Sequence, residues 1–513
     1  MVSASAIDDR IEVAELRRLV MPAEEAARAI GDGDVIAISG FTKAGEPKAT
    51  MAALARQFEA AERPPQITLY TGASLSDEVE GPLAPFVARR GPYMSNRASR
   101  ERILRGKMDY TDVHLSHFAR GIMYGFYGEI DVAVVEVARI TPDGVILTAS
   151  VGVSPEALVK ARKVILELNT AAPDLYGFHD IVLPSAPPAV GWPIPITNVA
   201  DRVGLPHVRF DMSKVIAIVP SDRPDHPVEF KPSDVTSKQI AGNVIAFLSE
   251  CGRRLGWRDW VPPLQSGVGN VANAVISEIG RSKFPRIHFY TEVFQEGMLE
   301  LVLGEPDRFI GASSTALSLA DTRPERVEAV MRKLRGKVLL RPMWLSNAPE
   351  VISRLHVVAM NTPLEVDIYG HVNSTHIGGS RIVNGLGGSG DFFRNAYISV
   401  VHTPSIRRLR DGRTISCILP TVSHVDHTEH DIKCVVTERG YAENLSVRTA
   451  RHRAEEIIEK CAHPYFQPLL REYMALAHGG DEPRLEADDR REEEWWDDYE
   501  EACLGFPEDA AAE

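Results

Sequence analysis

The chain has 513 residues, 44% of them apolar and 25% charged, with 38 glycines and 34 prolines, the profile of an ordinary globular protein of roughly two to four domains. Its formal charge of −14 gives no overall basic surface for a phosphate backbone, which argues against nucleic acid or an anionic membrane as its main partner. Much of that charge is local: residues 481–513 hold 15 acids and 3 arginines, leaving about −2 for the other 480 residues.

The N-terminal stretch MVSASAIDDRIEVAELRRL carries acids and no apolar leader, and no uncharged apolar run in the chain reaches the ~18 residues of a membrane span. Five cysteines (Cys251, Cys417, Cys434, Cys461, Cys503) are odd in number and lack a CxxC spacing, which argues against a disulfide framework or a thiolate zinc site. A reduced, cytoplasmic setting is expected, with no export and no membrane.

Apolar, β-branched runs then alternate with helix-patterned stretches: Val35 to Ser39, Ile67 to Thr71, Val132 to Val137, Val164 to Leu168 and Val215 to Val219. This is the pattern of an α/β fold with buried, mainly parallel strands. Proline-rich stretches at Leu183 to Ile196 and Ser221 to Pro232 read as irregular connections. We therefore expect an N-terminal α/β domain over 1–220, a linker over 221–235 and a C-terminal α/β domain over 236–480. The acidic segment 481–513 is expected to be a solvated or disordered tail without chemistry, although Trp495, Trp496, Tyr499 and Phe506 would let it dock.

The halves echo each other. VIAISGFTKAGEPKATMAALARQF followed by PPQITLYTGAS in the first half parallels PPLQSGVGNVANAVISEIG followed by FPRIHFYTEVFQEGML in the second. Each runs from an apolar segment through a glycine-bearing turn (Gly40 to Gly45; Gly267 to Gly269) into an alanine-rich helix and a strand ending Tyr-Thr, so two similar open α/β domains are expected. After Tyr70-Thr71 stands Gly72; after Tyr290-Thr291 stands Glu292. A carboxylate at the C-terminal end of a buried strand lies where open α/β sheets bind ligands. A helix-capping or salt-bridged acid is the structural alternative.

Asn384 to Phe392 (NGLGGSGDF) is the densest glycine cluster. Gly385, Gly387 and Gly390 satisfy GxGxxG, yet the preceding HVNSTHIGGSRIV is polar and glycine-interrupted, which is wrong for a dinucleotide site. A loop that brings bare backbone close to a ligand, or a tight buried turn, uses the same residues. The histidines of Ser423 to Asp431 (SHVDHTEHD), with His424 and His427 three apart, lack a helical HExxH or a cysteine partner, so no metal is expected there.

Six stretches of the second half, QSGVGNVANAV, YTEVFQEGM, SNAPEVI, DIYGHVNSTH, NGLGGSGDFFRNAYIS and SHVDHTEHDIKCVVTERGYA, together with GFTKAGEPKA near the start, resemble the acetyl-CoA hydrolase/transferase family. This family of class I CoA-transferases includes succinyl-CoA:acetate and propionyl-CoA:succinate enzymes. The likeness runs from about residue 10 to residue 475 and implies two related CoA-transferase domains with the active site between them and Glu292 as nucleophile. It also implies the amides of Val268 and Gly388 as oxyanion donors. CoA contacts would fall on Gly267, Val268, Gly269, Asn270, Val271, Leu364, Asn384, Gly388 and Arg408. Many relatives read Pro-Asp-Arg in the linker; here Pro224-Asp225-His226 stands instead, leaving His226 or nearby Arg223 to meet the substrate carboxylate.

The implied function is transfer of CoA from an acyl-CoA to a free carboxylate, with coenzyme A as co-substrate, no tightly bound cofactor and a homodimeric assembly. Hydrolysis of acyl-CoA by the same glutamate is the nearest alternative, and a non-catalytic CoA sensor a distant one.

Overall fold

The computed structural model describes residues 4–74, 76–226, 233–257, 260–446, 448–485 and 490–507. Eight strands of the first half are β1 (Val35–Ile38), β2 (Ile67–Tyr70), β3 (Val87–Gly91), β4 (Asp109–Tyr110), β5 (Val132–Thr141), β6 (Gly144–Leu147), β7 (Lys163–Asn169) and β8 (Val215–Ser221). They form one sheet in the order β4-β3-β2-β1-β5-β7-β8, parallel throughout, with β6 antiparallel on β5. Both faces are buried, as a parallel sheet requires. Ile36, Ile38, Val132 and Val134 pack to one side with Met51, Leu54 and Phe58 of helix α1 (Lys48–Glu59), while Ala37, Ala133 and Val135 turn to the other.

The second half repeats this plan. Strands β9 (Leu264–Ser266), β10 (Ile287–Tyr290), β11 (Phe309–Ser314), β12 (Val338–Leu340), β13 (Val358–Asn361), β14 (Ile398–His402), β15 (Cys434–Thr437) and β16 (Gly440–Glu443) are ordered β12-β11-β10-β9-β13-β14-β15-β16, with only β16 antiparallel. In both sheets the strand before the glycine turn is central, and the strand ending Tyr-Thr is its parallel neighbour, reached through α1 in one half and helix α2 (Asn270–Arg281) in the other. The sequence echo is a topological repeat.

The halves are joined through their backbones. Ser150 pairs with Ala316, and His179 with Leu340; Val151 N donates to Thr315 O at 2.9 Å and Leu317 N to Ala149 O at 2.9 Å. A fully buried Arg341–Asp180 ion pair, 3.0 Å apart, crosses the same boundary. Residues 183–196 are irregular, as their prolines predict. The chain leaves the first sheet at Ser221 and reaches the second at Leu264 through the helix Val235–Leu255, with 227–232 and 258–259 outside the described residues.

The acidic tail departs from the expectation of a solvated segment. Helix α3 (Arg490–Leu504) buries Trp495, Tyr499 and Cys503, an i, i+4, i+8 stripe that turns one face inward and leaves the acids outside. The Trp495 indole donates to Leu469 O at 3.0 Å and packs edge-on against Tyr473, while the Tyr499 hydroxyl accepts from Ser416 N at 3.2 Å. Trp495→Ala is expected to cost about 3–5 kcal/mol of stability and to expose the tail to protease, while leaving the kcat of the surviving fold unchanged; thermal melts, limited proteolysis and rate assays check this.

All five cysteines are free and buried, and among the described residues no helix is long and apolar enough to cross a membrane.

Candidate active site

Glu292 sits between β10 and the short strand Val293–Gln295, at the C-terminal end of the second sheet. Its backbone is fixed on both sides: Thr291 N donates to Ser313 O at 2.9 Å, and Glu292 O accepts from Thr315 N at 2.8 Å. The side chain opens into a cavity of about 280 Å³ that also receives Gly267, Val268, Leu364, Asn384, Gly388 and Ser389 from the second half and Phe41, Thr42, Ala73, Tyr93 and Leu115 from the first.

Three features set the state of the carboxylate. Burial pushes its carboxyl up to about 7, opposed by a hydrogen bond from Asn347 Nδ2 to Oε1 at 2.9 Å and reinforced by the nearby charge of Asp391. Asn347 is held in turn, because Tyr290, two residues before Glu292, donates its hydroxyl to Leu345 O, and Asn347 N donates to Met343 O at 3.0 Å. One strand end therefore positions both the acid and its partner.

The glycine-rich loop explains its own composition. A Cβ on Gly388 would overlap the Glu292 carboxylate and the Asn347 amide. One on Gly385 would overlap the Tyr110 hydroxyl and one on Gly390 the His114 ring, while Gly387 has φ +66° and packs against Tyr93. The glycines are filled by protein, so no open pyrophosphate cradle exists here, and Gly388 is where bare backbone meets the acid. The loop is pinned to the first half: Leu386 N donates to Asp112 Oδ2 at 2.9 Å, Gly385 N to Met94 O at 2.8 Å, and Ser116 N and Oγ to Asp391 at 3.0 and 2.6 Å.

The opposing loop is braced from below. Gln295 Nε2 donates to Gly267 O at 2.7 Å, and Gln265 exchanges side-chain hydrogen bonds of 3.0 Å with Asn361, whose amide oxygen a Cβ on Gly267 would approach to 2.9 Å. Gly269, at φ +123°, turns the chain into α2, so Asn270 and Val271 form the first turn of that helix.

Other expected contacts lie apart. Arg408 is exposed on the strand Ile406–Arg408, outside this cavity. Arg223 and His226 both face Glu78, Arg223 at 3.9 Å. His226 lines a separate crevice with Asp225, which Lys48 Nζ and Gly45 N hold at 3.0 Å. Glu78 thus meets both side chains, and His226 lines a crevice separate from the Glu292 cavity. The histidines of 423–431 disperse: His427 is buried, with its ring Nε2 3.1 Å from Ser389 Oγ and its pKa pushed down to about 4 by burial, whereas His424 meets Asp426 at 3.3 Å. Asn347, Tyr290 and Asp391 are the site residues to which sequence reasoning gave no role. SNAPEVI carried Asn347 as a motif, but no spacing connects it to an acid 55 residues earlier.

Burial raises the Glu292 carboxyl to about 7, so a reaction that needs its ionised form is expected to show kcat/KM rising about tenfold per pH unit below about 7 and levelling off above. Asn347 stabilises the ionised form, so Asn347→Ala should shift that limb to higher pH and lower the rate at pH 7 by about 10- to 100-fold; initial rates across pH check both.

Residues 5–220 match the acetyl-CoA hydrolase/transferase N-terminal domain and residues 325–474 the C-terminal domain. The chain is 41% identical over 468 residues to the propanoyl-CoA:succinate CoA transferase of Escherichia coli, covering 90% of this chain and 94% of that one. It is also 41% identical over 490 residues to the acetyl-CoA hydrolase of Schizosaccharomyces pombe, covering 92% of each. In fold it resembles the 4-hydroxybutyrate CoA-transferase of Porphyromonas gingivalis, with a TM-score of 0.61 at 22% identity over 90% of this chain and 98% of that one. With both domains matched and two-fifths of its residues shared across nearly the whole length, the chain belongs to the acetyl-CoA hydrolase/transferase family of enzymes.

Proposed function

We propose that this enzyme moves CoA from an acyl-CoA to a free carboxylate through a glutamyl-CoA thioester on Glu292. The observation that carries this reading is a half-buried carboxylate that faces a cavity walled by both glycine loops and touches Gly388 and Asn347, with burial raising its carboxyl to about 7. Binding alone needs no such acid.

In this reading a Glu292 oxygen attacks the thioester carbonyl, the C–S bond breaks, and CoA thiolate leaves behind an acyl-glutamyl anhydride. The thiolate attacks the glutamyl carbonyl, releasing the donor acid as its carboxylate and leaving CoA on Glu292. The acceptor carboxylate repeats the two steps in reverse. Each addition creates an oxyanion, for which the backbone N–H groups of Val268 and Gly388 are the proposed donors, each worth roughly 3–4 kcal/mol in comparable sites. Gly267 and its neighbours Gly269, Asn270 and Val271, with Leu364 and Asn384, would flank the pantetheine arm, and Arg408 a phosphate at its far end. CoA is a co-substrate here, and a homodimer the working assembly.

Hydrolysis is the second reading, favoured by the similarity to proteins named acetyl-CoA hydrolase; water would then resolve the same glutamyl thioester. Intact-protein mass spectrometry after mixing with acyl-CoA tests the shared intermediate: one CoA adduct, located on the peptide holding Glu292 and removed by borohydride, is expected. An unmodified chain under turnover conditions rules the intermediate out. Thiol release with and without added acetate then separates transfer from hydrolysis.

A further inference from the structure

Three segments far apart in sequence bring potential metal ligands together away from the Glu292 cavity. His371 follows the strand Glu365–Asp367, Glu429 lies in the loop 423–431, and Glu482 stands at the start of the acidic tail. One ligand atom from each lies within 4.8 Å of the others. His371 Nε2 is 2.9 Å from Glu429 Oε2 and 3.7 Å from Glu482 Oε2. The imidazole is buried and both carboxylates are largely so.

A second observation concerns the other ring nitrogen. His371 Nδ1 lies 3.0 Å from Asp367 Oδ2. Asp367 cannot turn away, because its Oδ1 accepts the backbone N–H groups of Tyr369, Gly370 and His371 at 3.0, 2.9 and 2.9 Å. Asp367 fixes the ring and keeps a proton on Nδ1, so Nε2 is the nitrogen that faces the cluster, as in metal-ligating histidines. Without an ion, Nε2 meets Glu429 Oε2 at 2.9 Å as an ion pair, and a divalent cation would take that proton's place among the three ligand atoms. One imidazole and two carboxylates match the nitrogen and oxygen ligands of zinc, with a fourth position left for water.

We propose that His371, Glu429 and Glu482 bind one divalent ion of the zinc class, with Asp367 orienting His371, and that the ion fastens the start of the acidic tail to the body. Neither His424 nor His427 takes part, since each is engaged elsewhere. Two ligands belong to the body and one to the tail, so occupancy and tail docking are one equilibrium.

The test uses the full chain, stripped with chelator and titrated with Zn²⁺ by calorimetry and with Co²⁺ by visible absorption. The expected result is one ion per chain, a ligand-field band from bound Co²⁺, and a rise in melting temperature. Glu482→Gln should weaken binding at least about tenfold, Asp367→Asn by about 10- to 100-fold, and His371→Gln should abolish the band. Glu482→Gln removes a partly exposed carboxylate outside the core, so its circular dichroism in chelator should equal that of the parent and separate ligation from folding. Absence of stoichiometric binding, or binding unaltered in both Glu482→Gln and His371→Gln, overturns the proposal and leaves the Glu292 adduct experiment untouched.

Discussion

Glu292→Gln is expected to keep the fold and lose the reaction. Glutamine preserves the side-chain shape and can still meet Asn347, whose amide lies 2.9 Å from the carboxylate, but it offers the thioester no nucleophilic oxygen. Turnover should fall by about 10⁴-fold or more, the scale seen when a covalent nucleophile is removed, with KM for the acyl donor little changed because glutamine keeps the side-chain shape. The CoA adduct should vanish from the mass spectrum. Burial of the charged form raises this carboxyl to about 7, so the wild-type protein carries a destabilising anion above that pH and is relieved of it as pH falls through about 7. Glu292→Gln should therefore melt higher than the parent at about pH 8 and converge with it near pH 5. Retention of transfer by this variant would remove Glu292 from the chemistry.

The second large effect is at Gly388. A methyl group there overlaps the Glu292 carboxylate and the Asn347 amide at once, and the loop cannot retreat because Asp112, Met94 and Ser116 hold it from the other half. Gly388→Ala should lower kcat by about 10²- to 10³-fold, the cost of misplacing a nucleophile or losing one oxyanion donor, and should be worse than Asn347→Ala because both partners move. Gly242→Ala is the control. Gly242 lies in the helix Val235–Leu255, where an added methyl group meets nothing within 4 Å, so that change should add roughly 0.5–1 kcal/mol of stability and leave the rate alone. Steady-state kinetics and thermal melts on the three variants test the ordering.

The parts of this protein that were legible in its sequence are those written in local patterns. β1 (VIAI) and the VAVV that opens β5 announce a sheet buried on both faces through runs of Val, Ile and Ala. The repeated passage from strand through glycine turn and helix to Tyr-Thr placed Glu292 at the end of β10, and the family motifs named the family. What stayed hidden depends on distant segments meeting. Asn347 reaches Glu292 only because β12 leads into a helical turn that Tyr290 tethers. Arg223 and His226, which the family resemblance offered to a substrate carboxylate, both face Glu78 from a helix early in the first half, a neighbour that no local pattern announces.

The tail teaches a different lesson. Its composition reads as solvated, since 15 acids outweigh 3 arginines, and composition averages over the helix. Trp495, Tyr499 and Cys503 recur every four residues, and this spacing concentrates the apolar side chains on one face while the charge occupies the rest. Periodicity was the better guide than net charge.

The repeated architecture also shows how unequal its halves have become. Where the second half carries Glu292, the first carries Gly72, and a side chain there would run into the carbonyl of Gly40 at 2.5 Å, with Phe41 and Gly152 close behind. The equivalent place in the first half is filled by backbone. One half carries the acid, and the other supplies Asp112, Ser116 and Tyr93 as the surface that holds the glycine loop against it. Placing an acid at position 72 would take more than one substitution, because the first half leaves no room for its side chain.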